Sequence, residues 1–292
     1  MQTHEIYAKN LGDTVYIRPF VLDHEGNYVY LDGVPYNSPA EFAYSIMADA
    51  NKPESERYVC AALMQYGASA QIYFNYRTDK LVSTAPAKYP NVKLSDYDLA
   101  YRAEYLDSLN TDAHVRALAA TLGQAENAIV DKVNIKYNMS TLNLAGAIRL
   151  SAGFNIDEAA LGLGENNANV AKAEVLFWNE RDMAALDSLT YEPGNYAYKC
   201  DLKKATGEET VYIGEYRGQS DHIRAKYMGD TVYFTCRIEL KDGTVYYSGL
   251  GYYSPEAFAG DHIKNSAGTI VDVSKSIIVY SEMAYNCFIL GK

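Results

Sequence analysis

The sequence predicts an α+β chain that is mainly β. A truncated repeat copy, a hairpin with two helices, comes first, and an antiparallel β-sandwich followed by a C-terminal helix comes after it. Three observations predict this. The run Gly12-Asp13-Thr14-Val15-Tyr16 returns as Gly229-Asp230-Thr231-Val232-Tyr233 near the other end. Short runs with period-two alternation, parted by Gly, Pro, Asn and Asp, crowd the second half. Segments with apolar residues three and four apart flank them.

Taken in order, residues 5–18 and 27–36 alternate apolar and polar and read as two strands. The turn Asp23–Asn27 joins them, with Gly26 free to take positive φ. Ser38-Pro39-Ala40-Glu41 then opens a helix: Ser38 is the N-cap, Pro39 the first helical residue, and Glu41 completes a capping box. A second helix spans about 53–76, with Val59, Leu63, Tyr66, Ala70 and Phe74 on one face. Its small residues Gly67, Ala68, Ser69 and Ala70 predict close approach of another backbone. Residues 77–94 hold Pro86 and Pro90 without periodicity and read as a linker. Ser95 caps a short helix to about Leu109, and Thr111 caps another that Gly123 stops.

From Ala128 the pattern changes. Asn127–Tyr137, Ser140–Ile148, Ala171–Trp178, Tyr196–Leu202, Thr210–Tyr216, Gly218–Tyr227, Thr231–Leu240 and Thr244–Tyr252 read as strands, with a short helix in Arg181–Leu189. Many short strands with regular turns predict a sandwich, here immunoglobulin-like. The chain closes on the helix Val273–Leu290, where Tyr280, Ala284 and Phe288 match Tyr66, Ala70 and Phe74. The division is then 1–80, the truncated copy; 81–126, linker and short helices; and 127–292, sandwich with C-terminal helix. A long run of strands precedes the second copy, whereas only a few residues precede the first. Either the strands of the first copy pack on the central helices or that copy is the truncated tail of an upstream domain, and the latter is the expectation.

Composition narrows the function. Net charge is −11, which argues against nucleic acid or an anionic membrane as a partner. No apolar stretch approaches the roughly 18 residues of a spanning helix. There are 28 Tyr against one Trp and 8 Phe, and Tyr suits a half-buried pleated surface. Cys60, Cys200, Cys236 and Cys287 form no metal-type spacing, and a Cys200–Cys236 disulfide stays open.

No catalytic set stands out. The histidines are His4, His24, His114, His222 and His262, and no nucleophile elbow, zinc helix or phosphate loop accompanies them. Gly162-Leu163-Gly164 sits between strands and opens no long helix. Asp23-His24-Glu25-Gly26-Asn27 has the alternate carboxylates of a calcium loop but lacks the later ligands. Asp221-His222 and Asp261-His262 read as surface pairs. No carboxylate pair is singled out for glycoside hydrolysis. The sequence thus predicts no catalytic residue, no metal ligand and no cofactor.

Trp178 is the candidate for binding. It follows Phe177 in an alternating strand, so the two face opposite ways. An outward Trp beside Asn179, Glu180, Arg181 and Asp182 would stack on the apolar face of a sugar. The other reading makes it the core tryptophan of the sandwich. Tyr246, Tyr247, Tyr252 and Tyr253 are further candidates, one of each adjacent pair facing out.

The order Gly12–Tyr16, the hairpin Tyr28–Ser38 and the helix end Tyr66–Tyr76 (Tyr-Gly-Ala-Ser-Ala-Gln-Ile-Tyr-Phe-Asn-Tyr) resembles a module. That module recurs in large secreted and wall-attached proteins of anaerobic Gram-positive gut bacteria. Gly229–Phe288 matches more loosely, since Tyr280-Ser281-Glu282-Met283-Ala284-Tyr285 departs from the helix signature. The resemblance implies a non-catalytic role outside the cell or on its wall, as part of a longer exported protein, and it assigns no site residues. The expected partner is a polysaccharide or glycan. The alternative is a structural spacer or an adhesin that binds a host surface protein, and a glycoside hydrolase is the third reading.

Overall fold

In a computed structural model the chain is mixed α and β, with more of it in helix than in strand, and so is not the mainly β chain that the sequence predicts. The structure describes residues 6–32, 34–35, 37–106, 113–145, 148–204, 211–216 and 223–292. His4, His222, Asp221, Thr111 and the first half of the expected strand Gly218–Tyr227 lie outside them, and its described half holds a 3-10 turn at Ala225–Tyr227. Two compact units emerge: residues 1–105 together with 262–292, and residues 106–261.

In the first unit, a 3-10 turn at Ala8–Asn10 leads to β1 (Tyr16–Ile17), β2 (Phe20–Leu22), β3 (Tyr28–Tyr30) and β4 (Val34–Pro35). Helices α1 (Pro39–Ala48) and α2 (Glu54–Tyr73) follow. Ser38 Oγ accepts from Glu41 N at 3.1 Å, as the capping pattern predicts. Tyr44, Met47, Ala61, Ala62 and Met64 form the core. Gly67 sits where Leu11, Val82 and the Ala8 carbonyl crowd in, so a Cβ there would lie 2.8 Å from two side chains.

Residues 77–94 are no linker. Val82 is buried; its N–H donates to Gln71 Oε1 at 2.8 Å and its carbonyl accepts from Tyr44 Oη at 3.1 Å. The helix expected from Ser95 is replaced, within its described part, by 3-10 turns at Leu94–Asp96 and Ala103–Tyr105. Tyr97, Leu99 and Tyr101 pack on the core, and a spacing of two belongs to extended chain.

The last helix, α6 (Thr269–Tyr285), ends in a π turn over Asn286–Leu290. It packs on α2 in this same unit, with Tyr66 stacked on Tyr280 at 5.8 Å. That overturns its assignment to the sandwich.

The second unit opens with α3 (Ala113–Thr121), β5 (Ile129–Val130), β6 (Ile135–Asn143), β7 (Arg149–Ile156), β8 (Val170–Asn179) and the single turn α4 (Glu180–Met183). It continues through β9 (Tyr198–Asp201), β10 (Lys203–Lys204), β11 (Val211–Tyr216), β12 (Val232–Leu240), β13 (Val245–Tyr247) and β14 (Gly251–Tyr253). The helix α5 (Pro255–Asn265) then carries the chain from this unit into the first. One sheet runs β10-β11-β7-β6; the other runs β5-β13-β12-β8-β9, with β14 also on β12. Phe154 of the first sheet meets Phe234 of the second at 6.2 Å, and Phe177 joins at 6.1 Å.

The expected strand Asn127–Tyr137 is broken because Asp131 Oδ1 accepts from the N–H groups of Val133 and Asn134, which makes a turn. The expected strand Ser140–Ile148 belongs in its first half to β6, and β7 was not foreseen. Cys236 and Cys200 both pair with Val175 from opposite sides. They therefore stand two strand spacings apart, roughly 9–10 Å, too far for a disulfide.

The repeat extends to the hydrogen-bond register. Through the hairpin, from Gly12 to Pro35, each position in the first copy has its counterpart 217 residues on (Tyr16 to Tyr233). Phe20↔Tyr30, Val21↔Val29 and Leu22↔Tyr28 become Arg237↔Tyr247, Ile238↔Tyr246 and Glu239↔Val245. Tyr16↔Pro35 becomes Tyr233↔Tyr252. At both hairpin tips a glycine takes positive φ, 83° at Gly26 and 91° at Gly243.

Candidate functional site: a tyrosine-lined cleft

The five residues singled out in the sequence do not come together. Cα partners share a face of a sheet. Trp178 pairs with Tyr233, Tyr252 also pairs with Tyr233, and Tyr247 pairs with Arg237, so these three lie on one face. Tyr246 pairs with Ile238 and Tyr253 with Val232, on the opposite face.

Trp178 is fully buried and offers no stacking surface. It packs with Leu118 and Leu122 around α3, and with Leu176, Met183, Leu189, Tyr233 and Tyr247. Its indole N–H donates to Asn195 Oδ1 at 3.2 Å. It is a core tryptophan, but on the outer face of its sheet, beneath a helix. Tyr247 is buried too, and its hydroxyl donates to Glu126. Tyr253 is half-buried and bonded to Asp261 Oδ2 at 2.7 Å. Tyr252 is the one of the five that is exposed. The expected aromatic platform is therefore absent, because alternation splits the pairs and α3 covers the Trp.

The calcium-like loop Asp23–Asn27 is a hairpin tip. Asp23 Oδ1 accepts from Glu25 N and Asn27 N, both at 2.9 Å, and hydrogen bonding by the Asn27 backbone lowers its carboxyl pKa against the opposing effect of desolvation. Among the described residues no cluster of His, Cys, Asp and Glu could hold a metal ion. No helix among them is long and apolar enough to cross a membrane.

A different concavity has a better-formed lining. In the first unit, the end of α1, the start of α2 and the segment 88–97 enclose a cleft of about 570 Å³. Met47, Tyr58, Tyr89, Val92 and Tyr97 are the apolar part of its lining and pack in or on the helical core. The Tyr58 and Tyr97 rings meet edge-on at 5.1 Å. Tyr97 Oη donates to the Met47 carbonyl at 3.4 Å. Burial raises the Tyr97 hydroxyl above its ordinary value, and the Arg57 charge opposes that.

The lining also carries Arg57, Lys88 and Asn91 as donors, with Glu54 and Asp96 as acceptors. Arg57 Nε is buried and has no hydrogen-bond partner. Among the described residues neither Arg57 nor Lys88 makes an ion pair; Lys88 Nζ lies 5.6 Å over the Tyr89 ring. A buried guanidinium N–H without an acceptor is a group waiting for one.

Sequence reasoning missed this site because it took 77–94 for a linker. The available signal was Leu81, Val82, Tyr89 and Val92, since apolar side chains in a supposed linker need something to pack on. No family model, curated protein or solved structure matches the chain.

Proposed function

We propose that the chain is a non-catalytic module of the cell exterior or cell wall that binds a polysaccharide or glycan, and that the first unit's cleft is where it binds. The observation that carries this is the Arg57 Nε, buried without an acceptor beside three tyrosine rings. Sugars present apolar ring faces and a fringe of hydroxyls that both donate and accept. The cleft is lined by the tyrosine rings together with donors (Arg57, Lys88, Asn91) and acceptors (Glu54, Asp96). A purely anionic ligand would meet two carboxylates there. The resemblance of Gly12–Tyr76 to modules of secreted and wall-attached proteins supports the extracellular setting, within a longer exported protein.

The strand order supports a finer reading of the second unit. Lettering β6 to β13 as A, B, C, C′, D, E, F and G gives sheets A-B-E-D and G-F-C-C′, the connectivity of immunoglobulin-like domains. Trp178 departs from that pattern, since its side chain lies on the outer face of its sheet and not between the two sheets.

Native affinity electrophoresis against soluble plant and host glycans tests the proposal. The expected result is retardation by one glycan, lost in Arg57→Ala and in Tyr89→Ala and kept in Tyr252→Ala. Absence of retardation by every glycan would overturn it. An exposed apolar hairpin favours the alternative, a module that binds protein.

A further inference from the structure

The first copy repeats the strands of the second in register, yet lacks what surrounds them. In the second copy β12 has β13 and β14 on one edge and β8 on the other, paired from Val232↔Asn179 to Glu239↔Lys172. In the first copy the corresponding segment, residues 16–22, has β3 and β4 on the equivalent inner edge. Among the described residues no strand pairs with its outer edge.

The side chains match that vacancy. In the second copy Phe234, Cys236 and Ile238 are buried on one face and Tyr233 and Arg237 on the other. Their counterparts Val21, Tyr16 and Phe20 are 55%, 73% and 53% exposed, and Leu22, Tyr28 and Tyr30 are exposed as well. Phe20, Tyr28 and Tyr30 lie against one another, ring centroids 4.9 to 6.1 Å apart, with Arg18 over Tyr30.

The outer edge is also chemically complete. Hydrogen bonds alternate between the two sides of a strand. Leu31 N donates to the Pro19 carbonyl at 2.9 Å and Asp23 N to the Asn27 carbonyl at 3.0 Å, so residues 19, 21 and 23 bond inward. Tyr16, Arg18, Phe20 and Leu22 therefore turn their N–H and C=O groups outward. Proline on a free edge usually blocks strand addition, but the missing donor of Pro19 is on the inner side. Its counterpart there, Cys236 N, donates to Ser248 Oγ, and the first copy replaces that donor and acceptor by Pro19 and Leu31. The edge's one charge, Arg18, is folded back: its Nε donates to the Leu31 carbonyl at 3.2 Å.

We propose that residues 16–22 accept an antiparallel strand by edge addition, and that the occupant is the β8-type strand of a β-sandwich half built like β6–β11 but lacking its own closing hairpin. The second copy supplies the register. Tyr16, Arg18, Phe20 and Leu22 face positions equivalent to Trp178, Leu176, Glu174 and Lys172.

The test uses the full chain and a labelled synthetic peptide of Val170–Asn179, followed by fluorescence anisotropy. Saturable binding is expected. N-methylation of the peptide at Glu174 and Leu176, whose amides face the acceptor edge, should abolish it; N-methylation at Val175 and Phe177 should not. Phe20→Pro in the chain, which removes an outward N–H, should abolish it as well. No binding, binding indifferent to which edge is methylated, or full binding by Phe20→Pro would each overturn the proposal. So would a dimer in sedimentation that Phe20→Lys dissolves, since the edge would then belong to a second copy.

Discussion

Arg237 is almost wholly buried among carboxylates. Its guanidinium bonds Glu126 Oε1 at 2.8 Å and Glu239 Oε2 at 3.0 Å, and lies 3.8 Å from the Tyr191 ring centroid. Glu174 Oε2 is 3.8 Å away. Arg237→Ala would strand those carboxylates, and a loss of about 3–5 kcal/mol is expected by urea denaturation. Burial pushes the Glu174 carboxyl up. Hydrogen bonds from Lys199 and Tyr191, with the charges of Lys199 and Arg237, outweigh it and hold the group below its ordinary range. Its contribution to stability is complete above the unfolded value of about 4.3 and disappears as pH falls through the lower folded value. Glu174→Gln should remove that acid-limb component, which pH-dependent melting would show. Trp178→Ala should cost about 3–5 kcal/mol as a core truncation, without touching glycan retardation at a temperature where the variant stays folded. At this scale the sequence was least informative. The pattern Phe177-Trp178 says that the two side chains oppose each other, but not that α3 lies over the outer one. Arg57 carries no mark in the sequence that distinguishes it from a solvated helix arginine.

Between elements, the repeat meets itself. Tyr66 of α2 stacks on its own counterpart, Tyr280 of α6, at an interplanar angle of 19°. Burial pushes the Tyr280 hydroxyl up to about 12, and raises Tyr66 further. The folded state thus favours the neutral phenols. This contribution is whole below the unfolded pKa of about 10 and is lost as pH rises through the folded values. Alkaline melting followed by far-ultraviolet circular dichroism should show it, and Tyr280→Phe should flatten that limb while keeping the stack. The two serine caps, Ser38 to Glu41 N and Ser254 to Ala257 N at 2.9 Å, occupy the same place in the two copies. Replacing either by Ala should cost about 1 kcal/mol. Caps, helix faces and hairpin tips were legible because each depends on residues three to five apart. The β6–β7 hairpin was not, because a bulge at Tyr137–Met139 shifts its register and hides the alternation.

Across the whole molecule, the repeat and the run of strands in the second half stand, but the chain predicted to be mainly β is mixed, with more helix than strand. The sequence misplaced the C-terminal helix, because chain order assigns α6 to the segment it follows, whereas its apolar face was matched to α2. The first unit is therefore built from both ends of the chain, with residues 106–261 set between them. Trp178, the one tryptophan, reports the second unit alone. A chain ended at Asp261 should lose more helical ellipticity than α6 itself accounts for, while its tryptophan emission stays unshifted; a red shift would contradict this division.

That arrangement has a mechanical consequence. A tensile load applied to the two chain ends enters and leaves through the same unit, and the α2–α6 contact carries it across. The strands of residues 106–261 are bypassed, like a slack loop behind a knot. In a single-molecule pulling trace the helical unit should yield first, and only then should the inserted strands feel force.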